Sequence, residues 1–316
     1  MNNTKKFIIV IGLTLGYSVS VFFLEGGYDA LVFYLKAPFP ETTTPAWVYL
    51  FTYPLSFLGW PLGWSVLIFI SVSVIGIAAI IWGNKNWWIP LLSTPLIWNI
   101  WLGQIEFLPV LGLLITGLFI QRKIPSFWLG LSWLVLITKP HVGLGILIFQ
   151  FLMVLRNELK LKDLISPLLL FCSMILLTIV FWPNWINDWI RTLQTFRPDM
   201  GWWDASIWPY GLLALPVAIY FSRDQEPLKK IRMLSSASLL ASPYFALYHC
   251  TTLMTVTDNL LVFILSWVIL FIGKGIPDQW VKWGWIVPLS VLLIDLYQNY
   301  WQSRIAHPEH QEKPIE

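Results

Sequence analysis

The sequence predicts an all-α polytopic membrane protein with about eleven transmembrane helices and short interfacial helices in its non-cytoplasmic loops. Three observations carry this. The 316 residues are 57% hydrophobic and only 12% charged, with a mean hydropathy of +0.68; a soluble domain carries about 25% charged residues. Charges are confined to short clusters between apolar runs close to the length that spans a hydrocarbon core. Many of the 21 Trp sit at run ends, among them Trp82, Trp87, Trp101, Trp182 and Trp283, where interfacial anchors belong.

Taken in order, the spans are expected at 7–24, 61–82, 87–102, 106–120, 125–138, 142–155, 164–182, 207–222, 232–248, 258–273 and 281–297. The first, with Lys5-Lys6 before it and Ser18-Val19-Ser20 within it, also has the look of a signal peptide. Its apolar run continues to Leu24, so it is read as a retained span. Several spans are short and many contain Pro. Broken helices are tolerated at membrane depth only where protein or a polar cavity satisfies the backbone, which points to an internal site.

Orientation follows from Lys and Arg. With the N-terminus in the cytoplasm, the cytoplasmic segments hold Lys5, Lys6, Lys85, Arg122, Lys123, Arg156, Lys160, Lys162, Arg223, Lys229, Lys230, Arg232, Lys274 and Lys282, most of the 20. Most of the acidic residues, Asp258 and Asp295 included, then fall outside, as does the C-terminus. Counting 47–60 as a span would invert everything after it, so that run is placed outside as a surface or re-entrant segment. The expected locale is the plasma (inner) membrane.

Residues 1–301 read as a single transmembrane domain and 302–316 as a polar tail. Two long outer segments, 25–60 and 183–206, lie over the expected site. The start of the second is two-faced, with Trp185, Ile186, Trp189, Ile190 and Leu193 opposite Asn187, Asp188, Arg191 and Gln194, the pattern of a helix lying in the interface. Cytoplasmic connections are too short for a soluble domain. The net charge of +3 gives no reason to expect nucleic acid as a partner. Cys172 and Cys250 set no disulfide framework, and the four His are too dispersed for a metal site.

Candidate chemistry therefore rests on polar residues where a bilayer discourages them. Asp29, four residues after Glu25, opens an amphipathic stretch just outside the first span. It fits either a general base, its acidity weakened by partial desolvation, or a helix cap. Lys139, in Thr138-Lys139-Pro140-His141, stands between two apolar runs; its ammonium either faces an anion such as a lipid phosphate or snorkels to the interface. His249 closes a span and serves as a phosphate donor, a proton carrier or a polar cap. Gln104 and Glu106 follow Trp98-Asn99-Ile100-Trp101 and either bind sugar hydroxyls or are loop residues. All lie on one side of the membrane, with Arg191, Arg197, Asp199 and Asp204, which makes a shared external cavity the economical reading.

These residues in this order resemble glycosyltransferase family 87 within the GT-C superfamily of polyprenyl-phosphate-sugar transferases. The likeness runs through much of 7–260. It rests on Tyr28-Asp29-Ala30-Leu31-Val32-Phe33-Tyr34, Phe51-Thr52-Tyr53-Pro54-Leu55, Trp98-Asn99 with Gly103-Gln104, Lys139-Pro140, and Ser242-Pro243 with Tyr248-His249. The resemblance implies a GT-C-like fold and inverting transfer of a mannose-like hexose or a pentose from a polyprenyl-phosphate donor to a lipid or glycan acceptor of the cell envelope. It implies Asp29 as base, Lys139, His249, Arg191 and Arg197 on the donor phosphate, and Glu25, Gln104, Glu106 and His141 on substrate. No cofactor or metal is expected, and membrane lipids are the remaining partners. The chain is short for that family, which leaves the acceptor unassigned. Two other classes fit the composition, a transporter or flippase for a lipid-linked sugar and a non-catalytic assembly subunit; the former would show internal repeats and a polar midplane path.

Overall fold

The computed structural model describes residues 2–36, 43–156, 158–195, 206–244, 246–272 and 283–306. Among them the chain is all-helical, with no strand. Three helices are long and apolar enough to cross a membrane: Asn3–Phe23, Leu62–Ile81 and Leu161–Phe181. Shorter apolar helices pack among them. The surface is that of a protein bathed in hydrocarbon. On α1 (Asn3–Ser20), Ile8, Ile11, Leu15 and Val19 face outward while Thr14 and Ser18 are buried. On α9 (Ile165–Phe181), Leu168, Leu169, Leu176 and Val180 are exposed. Apolar side chains outside and hydroxyls inside is the arrangement favoured where the solvent is lipid.

Helix contacts fix which ends lie together. Asn2 caps α1, its side chain accepting Lys5 N–H at 3.0 Å. Helix α1 runs antiparallel to α3 (Leu62–Ile81): Val10 packs on Gly76 and Ser65 donates to Ser18 O at 2.8 Å. The N-terminus therefore shares an end with Lys85. Between them, α2 (Tyr49–Ser56) has eight residues, about 12 Å of helix, too short to cross. The next crossing is broken at Ser93 into α4 (Ile89–Leu92) and α5 (Thr94–Leu102), where Pro95 sits in the first turn. Helix α6 (Phe107–Ile120) returns, and Gln121 beyond its end donates to Ile81 O at the foot of α3. Helices α7 (Leu129–Leu136) and α8 (Pro140–Leu155) form the next hairpin, and α9 leads to α10 (Trp185–Thr195).

The expected interfacial helix is α10. Trp185 is buried, and Trp189 donates to Thr43 O at 2.7 Å. Trp47 lies edge-on to Trp185 with ring centres 5.6 Å apart. The two outer segments thus meet through three indoles, while Ile190 and Leu193 stay exposed. Arg197, Asp199 and Asp204 lie outside the described residues.

The second half corrects the expected placement of Asp258 and Asp295. Helices α11 (Ala214–Phe221) and α12 (Pro227–Leu240) form a hairpin, and after Leu247–His249 the chain enters α13 (Cys250–Val256) rather than a loop. Every residue of α13 is buried, and it runs back toward the Lys85 end. There Asn84 donates to Thr255 O and Thr257 O, and Asn86 to Asp258 O at 2.7 Å. Arg232 holds Asp258 at 2.7 Å and grips both oxygens of Asp295 at 2.6 and 2.9 Å. Helix α14 (Leu260–Ile272) follows, and α15 (Ile286–Ala306) carries Asp295. Farther along α15, Asn299 donates to Phe221 O at 3.4 Å, so the far end of α15 lies at the Lys85 end. The sequence concealed α13 because it is rich in Thr. All its hydroxyls but that of the buried Thr252 bond back to the preceding turn, Thr255 to Thr251 O at 2.9 Å and Thr257 to Leu253 O at 2.8 Å, which lets a polar-looking stretch sit inside the bundle.

Candidate functional site

At the end opposite Lys85, four chain segments bring Asp29, Gln104, Glu106, Lys139, His141 and His249 into one cluster. Local chemistry sets each. Gly103 ends α5 at φ +73°, and the Gly103 and Gln104 N–H groups both return to Asn99 O, a left-handed helix stop that favours Gly. A Cβ on Gly103 would lie 2.6 Å from Ala30 Cβ. That close approach is what seats the Asp29 turn against Gln104. Gly27 N–H donates to Trp101 O at 2.7 Å, and Trp101 Nε1 to Glu25 O at 2.8 Å, which pins the loop from its other side.

Lys139 precedes Pro140, which opens α8 from its first turn. Proline keeps the preceding residue out of helical geometry, and Lys139 takes φ −129° and ψ 81°. Its side chain leaves the α7–α8 hairpin sideways into the cluster. The ammonium donates to Gln104 Oε1 at 2.9 Å, forms an ion pair with Glu106 Oε1 and lies 4.8 Å from the Tyr248 ring centre. An ammonium has three N–H donors, so one remains for a ligand oxygen. Glu106 is wholly buried, and its Oε2 has no hydrogen-bond partner. Burying a carboxylate is tolerable only against a partner of this kind.

Gln104 joins the two charges. Its amide nitrogen donates to Asp29 Oδ2, and its amide oxygen accepts from Lys139 and, at 3.1 Å, from Tyr34 Oη. Burial raises the Asp29 carboxyl above its ordinary value, opposed by the Lys139 charge and then by the Gln104 hydrogen bond. On the far side, Ala246 N–H donates to His249 Nδ1 at 3.0 Å, so a neutral ring carries its proton on Nε2. That Nε2 lies 3.2 Å from His141 Nε2 and 3.9 Å from Glu106 Oε1. His141 O accepts from Ser238 at 2.8 Å, fastening α8 to α12. Trp47, from the outer segment that meets α10, donates to Thr138 Oγ1 at 3.0 Å, one residue before Lys139.

Not every expected residue joins. Glu25 is exposed and enters only through its backbone carbonyl. Arg191 is exposed on α10 and bonds to none of the cluster. Arg197 lies outside the described residues. Gln104, expected on substrate, spends most of its capacity on Asp29, Lys139 and Tyr34, whereas Glu106, also expected there, pairs with Lys139 through Oε1 alone. Conversely, Tyr34 and Thr138 were overlooked as site residues. Tyr34 lies five residues after Asp29 in a single π-helical turn, Ala30–Tyr34, a spacing with no ordinary helical face to announce it. A separate cleft of about 640 Å³, lined by Lys85, Gln121, Lys229 and Arg232, opens at the other end of the bundle.

No family model, curated protein or solved structure matches the chain.

Proposed function

We propose that the chain is a GT-C-like membrane glycosyltransferase, taking a sugar from a polyprenyl-phosphate donor at the outer face of the membrane and passing it, with inversion, to a hydroxyl of a lipid or glycan acceptor. The observation that supports this is the convergence of one desolvated carboxylate, one ammonium with a spare donor and a histidine pair at one end of the bundle. In this reading Asp29 removes the acceptor proton, the acceptor oxygen bonds to the anomeric carbon, and the sugar–phosphate bond breaks with its electron pair leaving on phosphate. Lys139 and His249 supply donors to that phosphate as charge builds on it. A lipid carrier suits the geometry, because the polyprenyl chain lies in the bilayer and only the head group needs polar partners.

The same reading places the N-terminus in the cytoplasm. The C-terminal end of α15 then joins it there, because Asn299 near that end donates to Phe221 O beside the start of α12. The experiment offers purified protein radiolabelled polyprenyl-phosphate hexoses and pentoses beside nucleotide sugars. Transfer from a lipid-linked donor is the expected result. Transfer from a nucleotide sugar without lipid, or transbilayer movement of the donor with no transfer, overturns it.

A further inference from the structure

Asp29 and Lys139 are joined through one amide, that of Gln104. We propose that Gln104 is a positioning residue that holds the Asp29 carboxylate by one oxygen and holds Lys139 at a fixed distance from it, so that base and cation stay separate. The inference rests on the reading of Asp29 as base, and goes beyond it by assigning how that base is kept usable.

The amide has only one orientation that fits its neighbours. Lys139 Nζ and Tyr34 Oη both present hydrogens to one end, and the Asp29 carboxylate presents an acceptor to the other. An amide oxygen accepts twice and its nitrogen only donates. Turning the group over would set NH₂ against an ammonium and oxygen against a carboxylate. The locked orientation engages Asp29 Oδ2 and leaves Oδ1 for a substrate proton. It also shares the ammonium between Gln104 and Glu106. Without the bridge, Lys139 is free to close directly on Asp29, a contact that would hold the carboxylate as a salt-bridge partner and weaken it as a base.

The charged and titratable groups about Asp29 come from several elements. Lys139 stands at the start of α8, Glu106 before α6, Tyr34 on the same π-helical turn, and Tyr244 on the segment after α12. Glu25 and Lys36 lie exposed on the same outer segment. The hydrogen bond that reaches the carboxylate comes from Gln104.

The test reads Asp29 without using turnover. Dicyclohexylcarbodiimide modifies protonated carboxyls, so the pH at which half of the Asp29-containing peptide is labelled, read by mass spectrometry, reports its ionisation in the full chain. Gln104→Leu removes the bridge and leaves Lys139 free to close on Asp29, so the half-labelling pH is expected to fall by about one unit. Gln104→Glu sets a like charge beside Asp29 and is expected to raise it. Equal half-labelling pH in wild type and both variants overturns the inference, as does a rise in Gln104→Leu, which would mean that the amide is a donor to the carboxylate and no spacer. Should neither Gln104 variant be recovered monodisperse, Tyr34→Phe removes one anchor of the amide without touching the carboxylate. A smaller fall is then expected, and no change or a rise overturns the inference. Because labelling needs no substrate, its failure is distinguishable from failure of the glycosyl-transfer reading, which Asp29→Asn tests by transfer alone.

Discussion

Asp29 and Lys139 carry opposite risks on substitution. The folded state binds the Asp29 proton more tightly than the unfolded chain does, because burial raises the carboxyl. The stability it contributes is therefore present below its unfolded value and is lost as pH rises through the folded one. Asp29→Asn should leave thermal stability at neutral pH unchanged or slightly higher, while transfer falls about 10²–10⁴-fold, the usual worth of a general base; a loss under tenfold removes Asp29 as the base. For the same reason wild-type transfer should rise with pH through the raised Asp29 value. Lys139→Met behaves otherwise. It strands the buried Glu106 carboxylate and should destabilise the protein by about 3–5 kcal/mol. Adding Glu106→Gln should restore most of that stability in a detergent melt and none of the transfer. Recovered transfer in the double variant would remove Lys139 from the mechanism.

Among the elements, α12, α13 and α15 are joined by Arg232. Its guanidinium is nearly buried, and Asp295 beneath it is 1% exposed. Bidentate pairing satisfies both groups where neither could stand alone. Arg232→Met should cost about 3–5 kcal/mol through the stranded Asp295. The pair Arg232→Met with Asp295→Leu should regain most of it, since apolar groups of similar size replace a buried ion pair at little cost. Unfolding followed by tryptophan fluorescence in detergent measures both. A single-variant loss below 1 kcal/mol would show that the pair is hydrated in solution.

For the whole molecule, topology turns on which ends lie together. In the proposed orientation the N-terminus is in the cytoplasm. The Arg232–Asp295 and Asn299–Phe221 contacts then bring the end of α15 to the same side. Reporter fusions after Lys85, after Lys123 and at the C-terminus should all report cytoplasm. An external C-terminal reporter would contradict the placing of Asn299 and Asp295 beside Phe221 and Arg232.

The sequence by itself determined the helical class, the apolar helices, the two-faced helix at Trp185–Thr195 and the choice of Asp29, Gln104, Glu106, Lys139, His141 and His249 as residues of one cluster. These were legible because each breaks a local rule: a charge or ring nitrogen beside an apolar run, a Lys before Pro, a Gly where a helix must stop. Tertiary structure alone decided the rest. It made Gln104 a bridge and Glu106 a counter-ion, brought in Tyr34 and Thr138, and set Glu25 and Arg191 apart from the cluster. It also revealed α13, where Thr251, Thr255 and Thr257 bond back to carbonyls of the preceding turn while Thr252 is buried without a partner. Hydropathy weighs each residue as though it faced its solvent alone. A hydroxyl bonded to the preceding turn, a carboxylate paired with an ammonium from another helix, and an amide held at both ends are polar in sequence but are satisfied only by neighbours that folding supplies.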